Sequence, residues 1–188
     1  MDVQHFRVKL FATPDSHPRL GGAIAVFHRW IQENRLPETA IDVSDYEHVP
    51  AGPGVILVCH EAIYGLDEAK GKLGLVYNRR AVLDGSVDDR LRQAINAAEF
   101  AAALLEREPE FSGNLRFDRN TWEVAVNDRA LAPNTDATWQ ALSPVIRAVF
   151  DSIIGPARYS LERNRDPREP FMVSVVATGE KNREGVTQ

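Results

Sequence analysis

The chain has 188 residues, of which 44% are hydrophobic and 26% charged. A chain of that size buries roughly 70% of its unfolded surface, so its core requires neither disulfides nor a structural metal. A formal net charge of −5 and a pI of about 5.6 argue against a surface built to neutralise phosphates, so nucleic acid is not an expected partner.

Cys59 is the only cysteine, which excludes an intramolecular disulfide and suits a reducing compartment. The N-terminal residues Met1 to Lys9 are followed by no apolar h-region, so no signal peptide is expected. No apolar run approaches the roughly 18 residues of a membrane span. A cytoplasmic protein without a membrane partner is the expectation.

Residues 3–12 alternate, with Phe6, Val8 and Leu10 on one side and His5, Arg7 and Lys9 on the other. This is the pattern of a half-buried strand. A loop containing Pro14, Pro18 and Gly21-Gly22 leads to a helix over 22–35, striped by Ile24, Phe27, Trp30 and Ile31 and stopped by Pro37. A short strand at Ala40–Val43 and the polar loop 45–54 precede Val55 to Cys59. That continuous apolar run predicts a strand covered on both faces in the middle of a sheet.

Residues 62–77 read as a hairpin turning at Asp67–Lys72. Ser86, followed by Asp88 and Asp89, caps an alanine-rich helix that runs to about Glu108. A second hairpin is expected over 114–127, with Arg119-Asn120 at its turn. A third helix is expected over 135–154, restarted or kinked at Ser143-Pro144. Tyr159 and Leu161 pair with Phe171 to Val175 as a last hairpin, and 178–188 reads as a polar, frayed tail.

Together these elements predict a single α+β domain over 1–177, with a mixed or mostly antiparallel sheet of hairpins carrying about three helices. Tyr77 to Val82 resembles Val126 to Leu131, which makes a duplicated β-β-α unit a candidate origin. Equivalent junctions would then place Asn78, Arg80, Asn127 and Arg129 alike. Guanidinium groups there could hold an anion. The competing reading is that these residues cap helices and pair with Asp84, Asp88 or Asp136.

Asp45, His48, His60 and Glu61 flank the apolar strand. His48 and His60 with a carboxylate have the chemistry of metal ligands or of an acid–base pair. Against this, the two pairs leave opposite ends of the strand, and adjacent His60 and Glu61 point to opposite faces. Both histidines could equally stabilise their turns. Cys59 fits a small buried residue better than a nucleophile. There is no phosphate-binding glycine loop, dinucleotide fingerprint or nucleophile elbow, and no cofactor is indicated.

The stretch from Ile41, IDVSDYEHVPAGPGVILVCHEAIYGLDEAKGKLGLVYNRR, and the later NDRALAPNT at 127–135 resemble a bacterial family of uncharacterised proteins. The resemblance extends over most of the chain. It implies a bacterial cytosolic protein and brings no activity, cofactor or catalytic residue. The sequence therefore leads with a non-enzymatic protein that binds a protein partner or assembles with itself. Metal or ligand binding at 45–61 and anion binding at Arg80 and Arg129 stand as alternatives.

Overall fold

In the computed structural model, which describes residues 1–49 and 52–178, the first alternating segment forms strand β1 (Phe6–Ala12). Helix α1 (Gly22–Glu33) follows, ended by Asn34 in the left-handed conformation. Strands β2 (Ala40–Asp45), β3 (Val55–Cys59), β4 (Ala62–Asp67) and β5 (Gly74–Arg79) come next. Helix α2 (Val87–Leu105) starts in a reciprocal capping box, Ser86 with Asp89. Strand β6 (Phe117–Val126), helix α3 (Asp136–Ile153) and strands β7 (Tyr159–Arg163) and β8 (Phe171–Ala177) follow. Among the described residues no helix is long and apolar enough to cross a membrane. The expected tail falls, from residue 179 on, outside the described residues.

Among the described residues the eight strands form one sheet in the order β2-β3-β4-β5-β1-β6-β8-β7, with antiparallel pairing throughout. The architecture is the α+β sheet with three helices that the periodicities predict. Residues directly opposite each other share a face, so the register assigns the faces. Leu57, Tyr64, Tyr77, Val8, Val124 and Val173 lie in one row from β3 to β8, and all are almost completely buried. The helices cover this face. Helix α1 packs over β2 and β3, α2 over β1 and β5, and α3 lies beside α2. The Phe150 ring of α3 meets Trp122 at 5.5 Å and Tyr159 at 6.0 Å.

Three sequence expectations change. First, 114–127 is not a hairpin but the single strand β6. The Asp118 carboxylate accepts hydrogen bonds from the Asn120 N–H (2.8 Å) and the Thr121 hydroxyl (2.7 Å). The register against β1 jumps from Leu10↔Trp122 to Ala12↔Phe117. The polar stretch is thus a bulge that bends the strand without reversing it. With that hairpin gone, the proposed repetition of β-β-α units loses one of its two strands. Second, β3 lies next to the edge strand rather than in the middle of the sheet. Val55, Leu57 and Cys59 are buried, whereas Ile56 and Val58 are only half-buried on the other face. Third, α3 runs through Pro144 as one helix. Pro144 is exposed, so the hydrogen bond that it cannot make is lost on the solvent side.

The Asp128 carboxylate ties the N-terminus down. It accepts from the backbone N–H groups of Gln4 (2.6 Å) and His5 (3.0 Å) and meets the His5 ring. Burial alone would push this carboxyl up, but the His5 ring and the two backbone donors outweigh it and hold the pKa below the ordinary value. A carboxylate with a depressed folded-state pKa contributes stability that is complete above its unfolded-state pKa. That contribution is lost as pH falls through the folded-state value. Asp128→Asn is therefore expected to flatten the loss of stability below about pH 4, read from urea midpoints as a function of pH. An unchanged slope would show that the contact contributes nothing.

Candidate functional site

The four residues flanking β3 divide between its two ends. Asp45 is exposed and accepts the Glu47 N–H at 2.9 Å, and His48 is exposed in the β2–β3 turn. At the other end the His60 side chain is exposed while its backbone N–H donates to the Thr39 carbonyl at 3.0 Å. The Glu61 carboxylate accepts from the Thr39 N–H at 3.1 Å. Five residues of strand separate the pairs, about 16 Å at 3.3 Å per residue. Among the described residues no group of three or more His, Cys, Asp or Glu side chains is placed to hold a metal ion. Among the described residues the hydrogen bonds at the two turns come from the Asp45 and Glu61 carboxylates and the His60 backbone, not from the imidazoles of His48 and His60, the groups expected from the sequence to stabilise them.

The junction residues are brought together in part. Strands β5 and β6 flank β1 on either side, and the Asn127 side-chain amide donates to Asn78 Oδ1 at 2.7 Å. The arginines go elsewhere. The Arg80 backbone N–H donates to the Glu61 carbonyl at 2.8 Å, and an Arg129 Nη donates to the Arg168 carbonyl at 2.5 Å. Asp136, a suggested partner, is bonded by Arg163 instead. Asn78 and Asn127 are thus coupled, but their neighbouring guanidinium groups share no hydrogen-bond partner.

The sheet face away from the helices has a distinct make-up. One row across it reads Asp42, Val58, Ile63, Asn78, Arg7, Ala125 and Met172. The next reads Ser44, Ile56, Gly65, Val76, Lys9, Glu123, Ser174 and Glu162. Ile56, Val58, Ile63 and Val76 are neighbours on β3, β4 and β5, and all are half-buried. Gly65 lies between them and leaves a shallow dip, since a Cβ there would come within 3.3 Å of Ile56 Cγ2. The central charges neutralise one another. Arg7 bonds Glu123 at 2.5 Å, and Lys9 pairs with Asp67.

A second feature lies under the helices and was not read from the sequence. Glu38, in the α1–β2 connection, is 8% exposed. Tyr64 Oη donates to Glu38 Oε2 at 2.6 Å and Tyr77 Oη to Glu38 Oε1 at 3.1 Å. Gln93 Nε2, from α2, reaches Tyr77 Oη at 2.8 Å and Glu38 Oε1 at 3.4 Å. The two phenol rings pack edge to face, with centroids 5.0 Å apart. Burial and the Glu38 carboxylate both push the Tyr64 phenol far up, so Tyr64 acts as a fixed neutral donor. Burial also pushes the Cys59 thiol up to about 12, with Glu38 and then Glu61 adding to it. Cys59 is accordingly an inert core residue, as expected for a small buried side chain. A cleft of about 610 Å³ opens over this cluster, between α2 and the β4–β5 end of the sheet. A larger cleft, about 710 Å³, lies between the β1–α1 loop and the β4–β5 turn. Some of its polar groups satisfy one another or nearby backbone. Thr13 bonds Ser16, which bonds the Arg116 backbone, and Asp118 closes its own bulge.

No protein-family model matches the chain, and no curated protein matches it.

Proposed function

We propose that the protein works by assembling with a second copy of itself through the helix-free face of its sheet. The observation that carries this reading is the contiguous half-buried quartet Ile56, Val58, Ile63 and Val76 beside a centre whose charges are already paired. Such a face gains little from water and needs no oppositely charged partner. Eight strands at about 4.8 Å spacing make it about 34 Å wide, and strands of five to seven residues, the ten-residue β6 apart, make it about 20 Å deep. That outline is roughly 700 Å² per protomer, against the roughly 800 Å² of a standard interface, although Lys9, Ala125 and Met172 within it are already buried. Association by edge strands is less favoured. Asp42 and Asp45 lie on β2, and Glu162 and Arg163 on β7, the two edges, where charges discourage strand addition.

Light scattering over a dilution series tests the proposal. The wild type is expected to dimerise, and Ile63→Arg to be monomeric with an unchanged circular-dichroism spectrum. An unpaired charge buried at an interface costs about 3–5 kcal/mol, a hundredfold or more in affinity. A wild type that stays monomeric at every concentration would overturn the reading.

A further inference from the structure

We propose that the cleft over Glu38 binds a small zwitterion, an α-amino acid or a close analogue, with its ammonium group against Glu38 and its carboxylate against Arg79 and Arg92. The argument begins with the buried charges. Lys9 pairs with Asp67, Arg90 with Asp2, and Glu108 with Arg29. Glu38 is as buried as these, yet among the described residues no Lys, Arg or His nitrogen lies within 4 Å of it. Its partners are two hydroxyls and one amide. A buried carboxylate is costly without a cation. An ionised carboxylate offers about four lone-pair sites, so three donors leave one acceptor position, and Glu38 lines the cleft.

The opposite charge is provided on the same walls. Arg79 spends its Nε on the Ala81 carbonyl at 3.0 Å, and Arg92 meets the Ser152 hydroxyl. Asp89 and Glu61 line the cleft too, but among the described residues neither guanidinium lies within 4 Å of a carboxylate, so each planar fork keeps donors suited to one. Tyr77 bonds Glu38, and burial pushes its phenol up, opposed first by Gln93 and then by Arg79. A simple amine would meet Glu38 but also the two guanidinium groups, and a simple carboxylate would meet the reverse. A ligand carrying both charges a few bonds apart satisfies both walls at once. Phe100, 46% exposed on α2, also lines the cleft and gives an apolar side chain a surface to pack on.

Thermal unfolding of the full chain with each of the twenty amino acids, and with methylamine and acetate as single-charge controls, tests this. At least one amino acid is expected to raise Tm by several degrees, increasing with concentration as mass action requires. Methylamine and acetate are expected to give no rise. Glu38→Gln keeps the shape and removes the charge, and is expected to abolish the rise. Arg79→Gln is expected to reduce it at least tenfold in apparent affinity. Asn96→Trp, at an exposed position on the cleft wall, blocks the site without entering the core and is expected to abolish the rise while folding normally. Ile63→Arg, on the opposite face, is expected to bind like the wild type, so this result stands apart from the assembly result. The proposal falls if no amino acid stabilises the wild type, if stabilisation survives in Asn96→Trp or Glu38→Gln, or if methylamine or acetate alone does as well.

Discussion

Asp67→Ala is expected to cost about 3–5 kcal/mol of unfolding free energy, one of the largest effects of any single polar substitution in this chain. Lys9 is 4% exposed and Asp67 8%. The Lys9 ammonium bonds the Asp67 carboxylate, donates to the Lys72 carbonyl at 2.8 Å, and lies 5.6 Å from the centre of the Phe11 ring. Truncating Asp67 leaves the ammonium a single carbonyl and an aromatic face. It also removes the acceptor of the Ala69 N–H at 3.2 Å. The ammonium would remain buried and uncompensated, because the backbone of β1 fixes its stem between Val76 and Glu123. The pair itself adds little relative to an apolar alternative, since desolvation of both ions offsets their attraction. The double variant Lys9→Met with Asp67→Leu is therefore expected to lie within about 1.5 kcal/mol of the wild type. Denaturant unfolding of both variants separates the two terms. A single variant costing under about 1 kcal/mol would show that Lys9 reaches water as an ordinary surface cation does.

The same pair shows what the sequence could and could not reveal. Alternation places Lys9 on the face opposite Val8 and Leu10, and that is where it lies. Alternation says nothing about Asp67, three strands later in the chain and two strands away in the sheet, because partners across a sheet depend on strand order. The helices and most strands were legible because apolar period and capping chemistry are local, as in the Ser86–Asp89 box. The failure at 114–127 has a local cause as well. Asp118, Asn120 and Thr121 form the same short side-chain hydrogen bonds in a bulge as in a turn. The Glu38 cluster escapes a reading of the sequence because its four members come from a loop, two strands and a helix. One signal was present: Tyr64 and Tyr77 both fall on the inward side of one hairpin. Buried phenols need an acceptor, and the adjoining segment Pro37-Glu38-Thr39 holds a carboxylate. Asp45, His48, His60 and Glu61 stand out by residue type alone, with no such unmet demand behind them. Of these, only Glu61 lines the cleft.

Gly54→Ala is expected to cost about 2–5 kcal/mol, and its size can be divided into two parts. Gly54 adopts φ +68°, a region that costs a residue with a Cβ roughly 1–2 kcal/mol. An added Cβ would also lie 2.1 Å from the Leu66 carbonyl oxygen and 3.1 Å from the Asp67 Cα. These are backbone atoms, so β4 itself would have to shift, an overpacking cost of about 1–3 kcal/mol. Gly71 provides the control. It adopts nearly the same φ, +69°, and a Cβ added there would meet nothing within 4 Å, so Gly71→Ala is expected to show the conformational cost alone. The difference between the two variants in denaturant unfolding measures the close approach of the β2–β3 loop to β4. Equal costs would show that this approach is relieved without effort. The contact matters beyond stability because Gly54 immediately precedes Val55, which pairs with Leu66. A one-residue slip there would turn Ile56 and Val58 towards the helices and Leu57 towards the open face. Gly54→Ala is thus expected to weaken self-association along with folding, whereas Gly71→Ala leaves the open face, and association through it, unchanged.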